Sequence, residues 1–247
     1  MNENDTNDAL VWPLRDGPLS FQLSLIAGFV DTAGFVGLFG IFTAHVTGNL
    51  MLVGASLVKT DQIGVIARLT AIPIFMAAII VAVWLAQTAR RRNCSVLVVL
   101  LWAETAALLG LLLFNVYFAT QLHTPDQQTL LVAMSFFAIA AMGIHNSLMK
   151  EAAGTLPPTT VMTGNLTGFS TDLFLLFQSS TAEERKKVLA RLRRVSPVLL
   201  GFVLGAALGA AGIAWLQWWS AILPLAIAAM LALAASRQRA TKPDSKT

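Results

Sequence analysis

The chain has 247 residues, of which 56% are hydrophobic and only 12% are charged, whereas an average soluble domain has about 25% charged residues. This composition, with a mean hydropathy of +0.69, excludes an ordinary soluble domain and indicates an integral membrane protein. The net charge of +4 does not indicate a nucleic-acid-binding surface, because the basic residues cluster beside apolar segments, as in the cytoplasmic loops of membrane proteins. The single cysteine, Cys94, excludes an intramolecular disulfide and a metal cluster built on thiolates.

The apolar residues fall into segments typical of a multi-pass helical protein. Residues 1–18 form a polar tail without the charge order of a cleavable signal peptide, so we expect the first helix to be retained. A helix needs about 20 apolar residues to cross a hydrocarbon core, and six segments satisfy this length, at 19–41, 69–88, 96–116, 130–149, 198–216 and 218–235. We therefore predict a single all-α membrane domain over residues 19–235, followed by a basic tail at 236–247.

Two further apolar segments contain the same tripeptide. Thr47-Gly48-Asn49 lies in the segment 43–58, and Thr163-Gly164-Asn165 lies in the segment 159–178. The first segment is short for a membrane span, and each begins with a glycine-containing stretch instead of a clean helix start. Both features favour re-entrant half-helices over complete spans.

A second sequence match accompanies the tripeptide. Gly28 and Asp31, upstream of the first copy, recur as Gly143 and Asn146 upstream of the second copy at nearly the same offset. A repeated motif with a repeated upstream pair predicts an internal duplication. We place repeat one at about 19–116 and repeat two at about 130–235.

The distribution of basic residues predicts the topology. If both motif segments cross the membrane, the basic clusters at 90–92 and 185–194 fall on opposite faces. If both are re-entrant, nearly all basic segments share one face, as the positive-inside bias requires. We therefore predict six spans with both termini in the cytoplasm. Each repeat then contains three spans and one re-entrant segment, and this odd number inverts the second repeat relative to the first.

The segment Ala27-Gly28-Phe29-Val30-Asp31, followed by Phe42-Thr43-Ala44-His45-Val46-Thr47-Gly48-Asn49, resembles the YoaK family of bacterial inner-membrane proteins. The likeness covers most of the chain, roughly residues 19–235. This resemblance implies a six-span protein of the bacterial inner membrane. The domain of that family is of unknown function, so the resemblance supplies no substrate or catalytic residue.

The two motifs predict a solute site at the middle of the membrane. Glycine permits a tight turn or a close backbone approach, and asparagine is a good N-cap for the helix that follows. Two helix N-termini meeting at the midplane would present N–H groups and positive dipole ends to an anionic or dipolar solute. The substrate-binding residues are then Thr47, Gly48, Asn49, Thr163, Gly164 and Asn165. The alternative interpretation is that the motifs only cap and pack two kinked helices.

Asp31 is the predicted coupling residue, because a carboxylate in the middle of a span is costly and usually marks a functional path or a buried pair. Its counterpart Asn146 is neutral. His45 and His145 lie close to these positions in sequence, so a proton relay with Asp31 is one hypothesis, and a histidine satisfied by local hydrogen bonds is the other. Glu104 and Asp172 also lie in apolar segments and require partners in the fold.

The glycines of the fifth span, Gly201, Gly205 and Gly209, form a ridge that predicts close helix packing or a homo-oligomer interface. Trp215, Trp218 and Trp219 are predicted to anchor the chain at a membrane–water boundary.

These features favour a small-solute transporter or channel whose partners are the lipid bilayer and the solute, with no nucleic acid. The alternative is a non-transporting assembly or sensory protein in which the motifs only pack helices. We do not expect an enzyme, because the zinc-binding, nucleophile-elbow and phosphate-loop motifs are absent from the sequence. Accordingly, no catalytic residue, metal or cofactor is assigned.

Overall fold

A computed structural model of the chain describes residues 12–58, 64–119 and 128–241. Within these ranges the secondary structure is helical. The helices are α1 (Asp16–Gly37), α2 (Val46–Ser56), α3 (Val65–Arg91), α4 (Val96–Phe118), α5 (Gln128–Glu151), α6 (Met162–Gln178), α7 (Ala182–Leu216) and α8 (Ile222–Thr241), with a 3-10 turn at Gln217–Ala221 between the last two.

Five helical segments of the described residues are long and apolar enough to cross a membrane. They are Asp16–Gly37, Val65–Arg91, Val96–Phe118, Gln128–Glu151 and Ala182–Ala240. The last segment contains α7, the 3-10 turn and α8, which correspond to the fifth and sixth predicted spans. The protein is therefore an all-helical, multi-pass membrane protein.

The basic stretch 182–194 is continuous with the span that follows it. α7 extends over 35 residues from Ala182, starts with a capping box between Thr181 and Glu184, and tolerates Pro197 in its interior. The basic cluster at 185–194 and the predicted span at 198–216 thus lie in one helix. The capping box and good helix formers such as glutamate, lysine and arginine explain why the helix begins before the apolar residues.

One end of the bundle is basic. Arg90 Nη2, at the end of α3, lies 2.8 Å from Glu151 Oε2 at the end of α5. Arg239 of α8 donates a hydrogen bond to the Asn93 carbonyl before α4. A cavity there is lined by Asp16 at the start of α1 together with residues of these other elements. We call this the basic end.

The opposite end gathers the other helix termini. Arg68 of α3 donates to the Phe39 carbonyl after α1 at 2.8 Å. Gly64, just before α3, lies against Leu131 of α5. A second cavity joins Val116 of α4 to Trp215–Trp219 between α7 and α8. We call this the tryptophan end; among the described elements, α1, α3, α4, α5, α7 and α8 each have one terminus at each end.

Helix α1 is the central helix of the bundle. In its most apolar window 78% of the residues are buried, against 17% in α3, so α3 is covered much less by the other helices. α1 therefore tolerates buried polar side chains that would be unfavourable on α3. They include Ser20, Gln22, Ser24 and Asp31.

The glycine ridge of α7 packs on α1. A Cβ added to Gly201, Gly205 or Gly209 would collide with a backbone carbonyl of α1, in the order Phe21, Leu25 and Phe29. The increasing order shows that the two helices run parallel with their backbones in close approach. The ridge therefore packs within the chain, which is the first of its two predicted uses; its use as a homo-oligomer interface stays a prediction.

The three tryptophans differ in their surroundings. Trp215 and Trp219 are 83% and 60% exposed, as expected for side chains at a membrane boundary. Trp218 is buried, and its ring lies against Gly37 at the end of α1. Trp218 therefore packs the core, and its predicted role as an anchor is wrong.

Candidate functional site

The chain turns back into the protein after α1. We call residues 38–45 the first loop; Leu38 and Ile41 in it are fully buried. The reversal uses positive φ angles at Phe39 (52°) and Gly40 (77°), and glycine adopts this region without strain. The loop returns to the level of Asp31, which lies two turns before the end of α1, and α2 begins there.

Asp31 holds the first loop. Its Oδ1 accepts hydrogen bonds from the backbone N–H groups of Thr43 and Ala44, both at 2.7 Å. Its Oδ2 lies 2.6 Å from His45 Nδ1. Asp31 is only 4% exposed, and such charge-assisted bonds compensate the cost of burying a carboxylate. Asp31 therefore attaches the loop between α1 and α2 to the middle of the bundle.

Asn49 closes the first loop from the other side. Its Oδ1 accepts from the Phe42 N–H at 2.9 Å, and its Nδ2 donates to the Phe42 carbonyl at 2.7 Å. The N-cap of α2 is His45, without a side-chain capping bond. The predicted N-cap role of Asn49 is therefore wrong: the asparagine is inside the helix and binds the backbone of the loop that enters it.

The second motif repeats this arrangement with one bond fewer. We call residues 152–161 the second loop. Asn165 Nδ2 donates to the Pro158 carbonyl at 2.6 Å, seven residues upstream as in the first motif. Proline has no N–H group, so the reciprocal bond that Phe42 makes is absent. Asn165 lies inside α6, whose N-cap is Val161, and its predicted N-cap role is also wrong.

Asn146 occupies the position of Asp31 in the second half. Its Oδ1 accepts from Thr160 Oγ1 at 2.7 Å, and its Nδ2 donates to the Met142 carbonyl at 2.8 Å. Asp31 and Asn146 thus each bind the loop that follows their own helix. The carboxylate binds backbone N–H groups and an imidazole, whereas the amide binds a hydroxyl.

The two histidines bind different carboxylates. His145 Nδ1 lies 2.7 Å from Glu104 Oε1, and its Nε2 lies 2.7 Å from Thr159 Oγ1. His45 pairs with Asp31. The hypothesis of a relay between His145 and Asp31 thus has no direct bond in this structure. Glu104 is the residue that the site prediction omitted; its position in an apolar segment was the signal, and its partner lies on another helix.

The remaining motif residues are at the surface of the chain. Thr47, Thr163 and Gly164 are exposed, and Gly48 lies against the Phe42 ring. Among the hydrogen bonds and ion pairs of the described residues, none joins the first motif to the second. In the structure these residues lie at the starts of α2 and α6. Their role in substrate binding stays a prediction.

Asp172 and Glu151 have basic partners on neighbouring helices. Asp172 of α6 accepts from Arg191 of α7, with Nη2 at 2.6 Å and Nε at 2.8 Å. The Arg191 side chain is 52% exposed, and that of Asp172 is 13% exposed. Glu151 pairs with Arg90. These pairs connect α6 to α7 and α3 to α5 near the basic end.

A cavity of about 330 Å³ lies beside the second loop. Its lining includes Asn146 and Lys150 of α5 and Thr159 and Thr160 of the second loop. Lys150 is exposed and lies next to Glu151 at the basic end. The cavity therefore extends from the basic end to the side chains that hold the second loop.

Residues 19–234 match the family model described as "Protein of unknown function (DUF1275)". The chain is also similar to the UPF0700 transmembrane protein YoaK of Bacillus subtilis (strain 168), with 29% identity over 157 residues. That alignment covers 61% of this chain and 64% of the relative, less than two thirds of its length. No solved structure matches the chain.

Proposed function

This chain belongs to the DUF1275 family of proteins of unknown function, and we propose that it is a small-solute transporter or channel of the bacterial inner membrane. One observation carries the proposal. Between α1 and α2, and again between α5 and α6, the chain is broken inside the bundle, and a polar side chain in the helix before each break holds the loop. Broken helices inside a membrane protein are typical of transporter substrate sites.

Two inverted repeats account for the matching contacts of the two halves. Asn49 and Asn165 each donate to a carbonyl seven residues upstream. Gly28 of α1 approaches the Phe202 backbone of α7, and Gly143 of α5 approaches the Phe75 backbone of α3. The first helix of each half thus packs on the third helix of the other half. Such an exchange supports a pseudo-twofold relation between the halves.

Six crossings follow if α7 and α8 cross separately. The ends of the helices support this, because α7 approaches the tryptophan end and α8 returns to the basic end, where Arg239 reaches Asn93. The residues Arg15, Arg90, Arg91, Arg92, Lys150, Arg237 and Arg239 then lie on one face, which the positive-inside bias assigns to the cytoplasm. Both termini are cytoplasmic in this arrangement.

The solute would bind where the two loops meet the starts of α2 and α6. Thr47 and Thr163 supply hydroxyls there, and Gly48 and Gly164 allow close backbone approach. First-turn N–H groups favour an anionic or dipolar solute. Asp31 is the coupling residue of the proposal, because a change in its charge alters its bonds to the first loop and to His45. His145 and Asn146 are the coupling residues proposed for the second half.

Cysteine labelling tests the topology. In a Cys94→Ser background, single cysteines replace Val58, which is 90% exposed, and Thr181 before α7. A membrane-impermeant thiol reagent on intact cells should label the first position only, and permeabilised cells should show both. Labelling of both or neither in intact cells places the two positions on one face and overturns the inverted repeats.

Solute binding and flux test the activity. A panel of small anionic and dipolar solutes is screened for thermal stabilisation of the purified protein, since a ligand at about 100 times its Kd stabilises by about 2.7 kcal/mol. Hits are measured for flux in proteoliposomes. Asp31→Asn should abolish coupled flux, while the control Asp172→Asn, at an exposed ion pair, should retain it. A panel without stabilisation or flux would favour the assembly or sensory alternative.

A further inference from the structure

A chain of three buried polar groups joins α4 of the first half to α5 and the second loop of the second half. Glu104 of α4 binds His145 of α5, and His145 binds Thr159 of the second loop, with both distances at 2.7 Å. Glu104 and His145 are fully buried, and Thr159 is 1% exposed. These groups lie on three separate elements, so their contact is a product of the tertiary fold.

One oxygen of Glu104 is without a partner. Its Oε2 is buried and has no hydrogen-bond partner among the residues that the structure describes. An ionised carboxylate has about four acceptor sites, and here a single imidazole supplies the one observed contact. Burying a carboxylate with so few donors is costly, and a bound proton removes that cost. Glu104 therefore has the surroundings of a proton acceptor.

Thr159 connects this pair to the cavity beside the second loop. It is one of the residues that line that cavity, together with Lys150 at the basic end. Thr159 binds His145, and His145 binds Glu104, which does not line the cavity. The order from water to the buried carboxylate is therefore cavity, Thr159, His145, Glu104.

We propose that Glu104 is a proton-binding site that is loaded from the basic end through Thr159 and His145. In the starting state the imidazole carries its hydrogen on Nδ1, donates to Glu104, and accepts from the Thr159 hydroxyl at Nε2. A hydronium ion in the cavity gives a proton to Thr159 Oγ1 as the hydroxyl hydrogen moves to Nε2. The Nδ1 hydrogen moves to Oε1. The products are water and the carboxylic acid of Glu104, which donates to Nδ1.

Among the described residues, no other charged group bonds directly to this pair. The charged side chains on the elements packed against α4 and α5 are, within the described residues, Arg15, Asp16 and Asp31 at α1, Arg68, Arg90 and Arg91 on α3, Lys150 and Glu151 on α5, and Arg237 and Arg239 on α8. None forms a hydrogen bond or ion pair with Glu104 or His145. The biological role of proton binding at Glu104 rests on the proposed transport function. Proton binding itself does not, because it is measurable without a solute.

Infrared difference spectroscopy of the protein in lipid tests the proposal. Spectra recorded over a series of pH values should contain a carboxylic-acid band that changes with pH and that Glu104→Gln removes. The control Glu151→Gln, at the Arg90 pair, should retain it. Persistence of every titrating band in Glu104→Gln, or no titrating carboxyl band in the wild type, overturns the proposal.

The rate at which the band responds to a pH jump tests the path. Thr159→Val should slow the response by about tenfold or more, in line with the contribution of a positioned proton-transfer group, and Thr159→Ser should respond as the wild type does. In a Cys94→Ser background, Gly154→Cys blocked with a bulky thiol reagent should slow it as well. An unchanged rate in both cases overturns access through this cavity. These two variants keep the test valid even if Glu104→Gln does not fold.

A positive spectrum without solute flux would support proton binding while rejecting the transporter. If Glu104→Gln retains solute flux and its infrared spectrum is the same as that of the wild type, the transporter is supported and proton binding at Glu104 is rejected. The two proposals therefore fail separately.

Discussion

The Asp31 carboxylate and the His45 imidazole meet at 2.6 Å across the break between α1 and α2. The aspartate is in the centre of the bundle, and the histidine side chain is 37% exposed. The pair therefore joins a buried carboxylate to an imidazole that is partly exposed at the protein surface. His45 also packs edge-on against Phe202 of α7, so the position of the first loop depends on both halves of the chain.

The hydrogen bonds of the Asp31 carboxylate should contribute strongly to the free energy of unfolding. Asp31→Ala leaves the N–H groups of Thr43 and Ala44 without their acceptor, and each buried unsatisfied group costs about 1–3 kcal/mol. Asp31→Asn retains an acceptor and should cost less. Unfolding in mixed micelles followed by circular dichroism measures both, and equal losses for the two variants would contradict this reasoning.

The two motif asparagines should differ in their contributions. Asn49→Ala removes two bonds to Phe42, whereas Asn165→Ala removes the one bond to Pro158. At about 1 kcal/mol for each bond, the first variant should lose about twice as much free energy of unfolding as the second. A second variant that is as unstable as the first would show that Asn165 has a further partner.

The glycine ridge should tolerate no side chain. Gly205→Ala places a Cβ against the Leu25 carbonyl and must move α1 away from α7, so we expect a loss of about 2 kcal/mol or more, comparable with other overpacked sites. Gly54→Ala is the matched control, because nothing lies within 4 Å of its Cβ and alanine favours a helix by about 1 kcal/mol. Equal stability of the two variants would contradict the close packing of α1 on α7.

The Asp172–Arg191 pair should contribute little. The arginine side chain is 52% exposed, and exposed ion pairs contribute little to stability and are weakened by salt. A double-mutant cycle with Asp172→Asn and Arg191→Gln should give a small coupling energy that falls as salt is added. A large coupling energy that does not respond to salt would instead place the pair away from water.

The apolar segments were predictable because their length and composition depend on the chain alone. α4 at Val96–Phe118 and α5 at Gln128–Glu151 follow the predicted spans closely. The charge spacing in the first part of α7, such as Glu183 with Lys187, is typical of a helix, whereas the continuity of this helix with the span at 198–216 is visible only in the structure. The six-span inverted arrangement itself stays a prediction.

The site was only partly predictable, because its contacts join residues distant in sequence. The importance of Asp31 and of the motif asparagines could be inferred from their positions in apolar segments. The contact between Glu104 and His145 joins different helices and depends on how α4 packs against α5. The N-cap roles predicted for Asn49 and Asn165 are wrong. Asparagine before an apolar segment favours an N-cap, but the two side chains bind the backbone of the loop that precedes their helix.

The parallel contact between α1 and α7 affects how the protein is made. α1 leaves the ribosome first, and the backbone surface that covers it, around Gly201–Gly209, is synthesised more than 160 residues later. Until then the hydroxyl of Ser24 has no Val198 carbonyl to bind. In ribosome-bound chains that end before α7, the buried polar side chains of α1 therefore need a temporary neighbour, such as an insertase or one of the spans between α1 and α7.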